Sequence, residues 1–86
     1  MKLRKFKARS MARLVEIKRE LLSKYPDKAE RVNYIVDLIA TKLENLRTFT
    51  LTDYIATLYH ASKEFAEFEQ LIPSSKEIDE LLKSSE

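Results

Sequence analysis

The 86-residue chain contains no glycine, no cysteine and no tryptophan, and it has a single histidine. The absence of glycine excludes the phosphate-binding and dinucleotide-binding loops, because both need glycine where the backbone approaches phosphate. The absence of cysteine excludes disulfides and thiolate metal sites. One histidine cannot supply the two Glu-x-x-His pairs of a di-iron bundle. We therefore expect a protein that is not an enzyme and that has neither a cofactor nor a metal site.

The one histidine lies a helical turn from an acid, as His60 and Glu64. This spacing is compatible with two ligands of a divalent metal. We interpret the pair as part of a solvent-exposed helix face instead, because it lies opposite the apolar side chains of the same segment. No motif around His60 indicates a nucleophile and base.

Long apolar runs are also missing. No segment approaches the roughly 18 apolar residues that a membrane-spanning helix needs, and no apolar run of seven or more follows the basic N-terminus, as a secretory signal would require. We expect a cytoplasmic protein that does not bind a membrane.

Apolar side chains instead recur at the three- and four-residue spacing of amphipathic helices. Pro26, Pro73 and the threonine-rich stretch 47–52 divide the chain into four such pieces. Long helices that are joined by short loops pack as antiparallel neighbours. The sequence therefore predicts one all-α domain over residues 1–86, a small antiparallel helical bundle with three main helices and a short C-terminal helix.

Capping residues predict where the later helices begin. Asp27 with Glu30 predicts the start of the second helix, and Ser74 with Glu77 predicts the start of the fourth. Thr50 or Thr52 is expected to cap the third.

The third helix is predicted to run over residues 52–72 and to end at Pro73. Its apolar stripe includes Phe65, Phe68 and Ile72. Glu69 lies close to that stripe, whereas Leu71 lies off it.

The net charge of +2 hides an uneven distribution. From residue 64 onward, seven acidic side chains face two basic ones. The first 15 residues hold no acid and six basic side chains, Lys2, Arg4, Lys5, Lys7, Arg9 and Arg13.

Four of these cations, Lys2, Lys5, Arg9 and Arg13, share one stripe of a helix. Unpaired cations in this arrangement are typical of phosphate-backbone binding. Phe6 and Tyr25 are candidates to stack on a base. Two forms of residues 1–9 stay open, a helix and a mobile basic arm.

Three apolar side chains, Tyr34, Leu38 and Tyr59, lie beside or off the predicted core stripes. If the fold clusters them, they form a surface suited to a protein partner or to a homodimer.

These features support two hypotheses. The first is an accessory or adaptor subunit of a nucleic-acid-processing complex of the replication or repair type. Its helical body would dock on a protein partner, while the basic N-terminal helix contacts the phosphate backbone without sequence specificity. The alternative is a pure protein–protein module, such as a virus- or plasmid-encoded inhibitor, immunity or assembly factor, that uses its acidic C-terminal half.

Overall fold

A computed structural model describes residues 2–83, and over that range the chain is an all-α helical bundle without strands. Four α-helices form it: α1 (Lys2–Lys24), α2 (Ala29–Glu44), α3 (Leu51–Glu64) and α4 (Ser75–Leu82). Three 3₁₀ segments lie between them: Pro26–Lys28, Thr48–Thr50 and Ala66–Leu71. The predicted fold class is confirmed. No helix within residues 2–83 has the length and apolarity needed to cross a membrane.

Ion pairs between α2 and α3 define the directions of these two helices. Arg31, near the start of α2, contacts Glu64 at the end of α3 at 2.8 Å. Lys42, near the end of α2, contacts Asp53 in the first turn of α3 at 2.7 Å. The two helices are therefore antiparallel.

The chain beyond α3 returns along α1. Lys24, the last residue of α1, contacts Glu67 at 2.6 Å, and Arg9 contacts Glu77. As the chain advances from Glu67 to Glu77, its contacts on α1 move back from Lys24 to Arg9. The segment after α3 is therefore antiparallel to α1. The first turns of α1 thus lie beside α4.

One side of α1 is buried at every third or fourth residue, in the sequence Leu3, Phe6, Ser10, Leu14, Ile17 and Leu21. Because Leu3 and Phe6 pack into the core, residues 2–9 form the opening turns of α1. The sequence left open a helix and a mobile arm, and residues 2–9 adopt the helix. Met1 lies outside the described residues. Every residue of the predicted α2 stripe is also buried, namely Val32, Ile35, Val36, Ile39, Leu43 and Leu46.

The predicted cap of α2 is wrong. Asp27 lies inside a 3₁₀ turn, in which the Lys28 N–H donates to the carbonyl of Tyr25 at 2.9 Å. The helix begins only at Ala29, and no side chain caps it. The cap of α4 is confirmed, since the Ser74 hydroxyl accepts the backbone N–H of Glu77 at 3.2 Å.

The predicted continuous helix over 52–72 is also wrong. Phe65 has an extended backbone (φ −135°, ψ 106°), and a 3₁₀ helix follows it. Side chains three residues apart eclipse one another in a 3₁₀ helix. This period buries Phe65, Phe68 and Leu71 together, whereas Glu69 is exposed.

The core also encloses the hydroxyl of Tyr54, which has no hydrogen-bond partner among residues 2–83. The ring of Phe6 meets the Tyr54 ring edge-on, at 6.3 Å between centroids. Burial raises the pKa of Tyr54 to about 12, because a phenolate there would be desolvated.

Candidate nucleic-acid interface

The structure distributes the six N-terminal cations over two sides of α1. Lys2, Lys5 and Arg9 line a cavity beside α4. Arg13 lies next along this side and faces the segment before α4. Arg4 and Lys7 line a separate cavity near the end of α2.

The side toward α4 is partly neutralised within the molecule. Arg9 pairs with Glu77, and Glu80 lines the same cavity as Lys2 and Lys5. Arg13 pairs with Glu16 at 2.7 Å and also donates a hydrogen bond to Gln70.

The prediction of a stripe of unpaired cations is therefore wrong for Arg9 and Arg13. For Arg9 the reason is tertiary, because the chain after α3 folds back along α1 and brings Glu77 from 68 residues away in sequence. Arg13 pairs locally with Glu16, three residues further along α1, and its long-range contact is the uncharged amide of Gln70.

The other side of α1 joins a cation that the sequence did not single out. Arg4 and Lys7 line a cavity of about 380 Å³ with Arg47, which follows α2. The buried side chains of Leu3 and Leu46 complete the lining. We call Arg4, Lys7 and Arg47 the basic end.

No acidic side chain among the described residues lines the cavity of the basic end, and none of its three cations forms an ion pair with any of residues 2–83. The acids nearest to Arg47 in sequence are Glu44, the last residue of α2, and Asp53 in the first turn of α3, which is held by Lys42 at 2.7 Å. Like charges that converge on a concave surface raise the local concentration of anions. The basic end is thus suited to an anionic ligand.

A short turn that is closed by two hydrogen bonds adjoins the basic end. The Arg47 N–H donates to the Thr50 hydroxyl at 2.8 Å, and the Thr50 N–H donates to the Arg47 carbonyl at 3.0 Å. Leu46 and Leu51 are buried on either side of the turn. Phe49 lies within it and is 84% exposed.

Sequence reasoning missed Phe49 as a functional candidate. The signal that points to it is an aromatic residue in a loop, residues 45–52, that contains an arginine, several hydroxyl side chains and no acid.

The two aromatic residues proposed from the sequence are placed differently. Phe6 is only 3% exposed and belongs to the core, so the prediction that it stacks on a base is wrong. Tyr25 is half-buried and packs against Phe65, at 5.7 Å between ring centroids.

Of the three predicted partner-binding residues, the structure brings two together. Tyr34 and Leu38 line a groove of about 200 Å³ between α2 and α3, and they are 60% and 39% exposed. Tyr59 is exposed on α3 but does not line this groove. Docking of a protein partner or of a second copy on these residues stays a prediction.

His60 and Glu64 both line the groove between α2 and α3. Glu64 is engaged by Arg31, whose Nε donates to its two carboxylate oxygens at 3.0 and 2.8 Å. This hydrogen bond holds the pKa of Glu64 below its ordinary value. Within residues 2–83, no three histidine or acidic side chains lie close enough together to hold a metal ion.

Half of the described acids in the C-terminal half are paired within the fold. Glu64 pairs with Arg31, Glu67 with Lys24, and Glu77 with Arg9. The hydrogen bond from Lys24 is the main cause that lowers the pKa of Glu67. Of the seven acids that the sequence counts there, Glu86 lies outside the described residues.

Comparison of the chain with protein-family models, with curated proteins and with solved structures finds no significant match.

Proposed function

We propose that this chain is a non-enzymatic accessory protein that binds the phosphate backbone of a nucleic acid through its basic end. The observation that carries the proposal is the convergence of Arg4, Lys7 and Arg47, from two separate elements, around a cavity without an acid among its described lining residues. Phosphate contacts of this kind position a protein on nucleic acid and carry no sequence information. The expected binding is therefore strongly salt-dependent and non-specific.

The position of two of these cations supports the same proposal. Arg4 and Lys7 lie in the first two turns of α1, which has no acid in its first turn. The amino end of a helix carries partial positive charge, so a cation in the first turn, such as Arg4, is unfavourable there by about 0.3–1 kcal/mol. A phosphate bound beside it is attracted both by the cations and by the helix end.

The protein-docking part of the proposal depends on the groove between α2 and α3. Tyr34 is an exposed aromatic residue at its rim, and Arg31 lies over the Tyr34 ring at 5.4 Å. Tyrosine and arginine are enriched among the residues that dominate protein interfaces. The alternative, a module that binds a basic partner through its acidic half, has less support, because Glu64, Glu67 and Glu77 are already paired within the fold.

The test is binding of a labelled DNA duplex over a salt series. The variant replaces Arg4, Lys7 and Arg47 by alanine. Three lost phosphate contacts should reduce the slope of log K against log salt by about 2.7.

A matched control replaces Arg19, Lys63 and Lys76 by alanine. These exposed cations form no ion pair with residues 2–83, and their removal changes the net charge equally. The control should keep most of the slope. Equal losses in both variants would show only an effect of net charge, and absence of binding by the unaltered chain at low salt would overturn the proposal.

A further inference from the structure

We propose that Phe49 is a stacking platform for an unpaired base, so that the basic end binds single-stranded nucleic acid in preference to duplex. This inference rests on the proposed function and names the class of nucleic acid. It starts from the exposure of Phe49, which at 84% exceeds that of every other large apolar side chain described.

Exposure alone carries no function, because single exposed apolar residues are common on protein surfaces. What distinguishes Phe49 is how firmly its backbone is held. The turn is closed by hydrogen bonds between Arg47 and Thr50 in both directions, at 2.8 and 3.0 Å. Leu46 and Leu51, at its two ends, are anchored in the core. The backbone that carries the ring is therefore held in place, so binding there orders the rotamer of one side chain and not a whole loop.

The ring would bind the base of a nucleotide, and the cations near it would bind the phosphate. Arg47 precedes it by two residues, so their Cα atoms are no more than about 7.6 Å apart. Arg47 shares its cavity with Arg4 and Lys7. Phe49 does not itself line that cavity, so the site we propose takes a base on the ring and neighbouring phosphates of the same strand on the cations.

This combination favours single strands for a physical reason. Every base has a flat face, and proteins that bind single strands without sequence preference combine aromatic rings for the bases with a cationic groove for the backbone. In a duplex the bases are already stacked on one another, so an exposed ring has no free face to bind unless the duplex is deformed. The cations bind either form, whereas Phe49 discriminates between them.

The experiment uses the absence of tryptophan from the chain. Phe49→Trp introduces one fluorescent side chain at the proposed contact, and Val15→Trp introduces one at a control position on α1 that is 49% exposed. Val15 lies eight residues after Lys7, about 12 Å along the helix. Each variant is titrated with a 12-nucleotide oligo(dT), with the matched duplex and with vesicles of phosphatidylserine and phosphatidylcholine.

We expect oligo(dT) to quench the fluorescence of the Phe49→Trp variant and to leave the Val15→Trp variant nearly unchanged. In a parallel binding assay, Phe49→Ala should weaken oligo(dT) binding about 5- to 150-fold, which corresponds to the loss of one stacked base. Its duplex affinity should change less than twofold, and Val15→Ala should change neither affinity. Far-UV circular dichroism confirms that the variants remain folded.

The outcomes separate this inference from the proposed function. If oligo(dT) and duplex bind through the three cations but Phe49→Ala and Phe49→Trp show no effect, the stacking inference fails and the proposed function stands. If neither nucleic acid binds at low salt, both fail. A blue shift of Phe49→Trp with anionic vesicles, without quenching by oligo(dT), would overturn the inference in favour of membrane insertion.

Discussion

The 3₁₀ helix Ala66–Leu71 and a continuous α-helix over the same residues predict different effects of substitution on stability. In the observed register Leu71 is 4% exposed, and Ile72 is only partly buried. A continuous helix from α3 would reverse these roles, placing Ile72 on the core stripe and Leu71 off it. The perturbation is therefore a pair of single substitutions, Leu71→Ala and Ile72→Ala, with Glu69→Ala as an exposed control.

Burial sets the expected magnitudes. Truncation of a fully buried leucine to alanine costs about 2–5 kcal/mol. We expect about 3 kcal/mol for Leu71→Ala and about 1 kcal/mol for Ile72→Ala, because Ile72 keeps part of its side chain in water. Glu69→Ala should change the free energy of unfolding by less than about 0.5 kcal/mol. A chain of this size has a total stability of about 4–13 kcal/mol, so the Leu71→Ala effect is a large fraction of it.

The assay is urea-induced unfolding followed by far-UV circular dichroism, with the m-value checked for each variant. In thermal unfolding, 1 kcal/mol corresponds to about 4–8 °C for a domain of this size, so Leu71→Ala should lower the Tm by about 12–24 °C. Equal losses in the free energy of unfolding for Ile72→Ala and Leu71→Ala would refute the 3₁₀ register. A large effect of Glu69→Ala would contradict it equally, because Glu69 lies close to the core stripe only in the α-helical register.

Three further substitutions test individual electrostatic and polar contacts. Tyr54→Phe should stabilise the fold by about 1 kcal/mol in urea unfolding, because it removes a buried hydroxyl without a partner; a loss of stability would reveal a hydrogen bond to that hydroxyl. Lys24 keeps the pKa of Glu67 below its ordinary value of 4.5, so the stabilisation is present above about pH 4.5 and is lost as pH falls through the lowered pKa. Glu67→Gln should therefore flatten the loss of stability below pH 4.5, and an unchanged pH profile would rule out this pair as a source of acid sensitivity. Arg4→Glu should raise stability by about 0.3–1 kcal/mol through the α1 dipole while it weakens DNA binding, and unchanged DNA affinity would contradict the role of the basic end.

Local sequence patterns were enough to predict the all-α class and most of the core. Amphipathic periodicity is a local property, so the α2 stripe from Val32 to Leu46 could be found by spacing alone. The Ser74 cap could be found in the same way, because its hydrogen bond joins residues three apart. The exposure of Tyr34 and Leu38 followed from their angular position on α2.

The form of the candidate site depends on contacts between residues that are far apart in the sequence. Arg9 is paired because Glu77, 68 residues away, folds back onto it, and no local pattern encodes that contact. Arg47 joins Arg4 because α1 and α2 are antiparallel, which brings the end of one beside the start of the other. The chain leaves the α-helical period at Phe65, and the period of three that follows buries Phe65, Phe68 and Leu71 together. This register could not be read locally, because the core that covers these side chains includes α1, which lies far away in sequence.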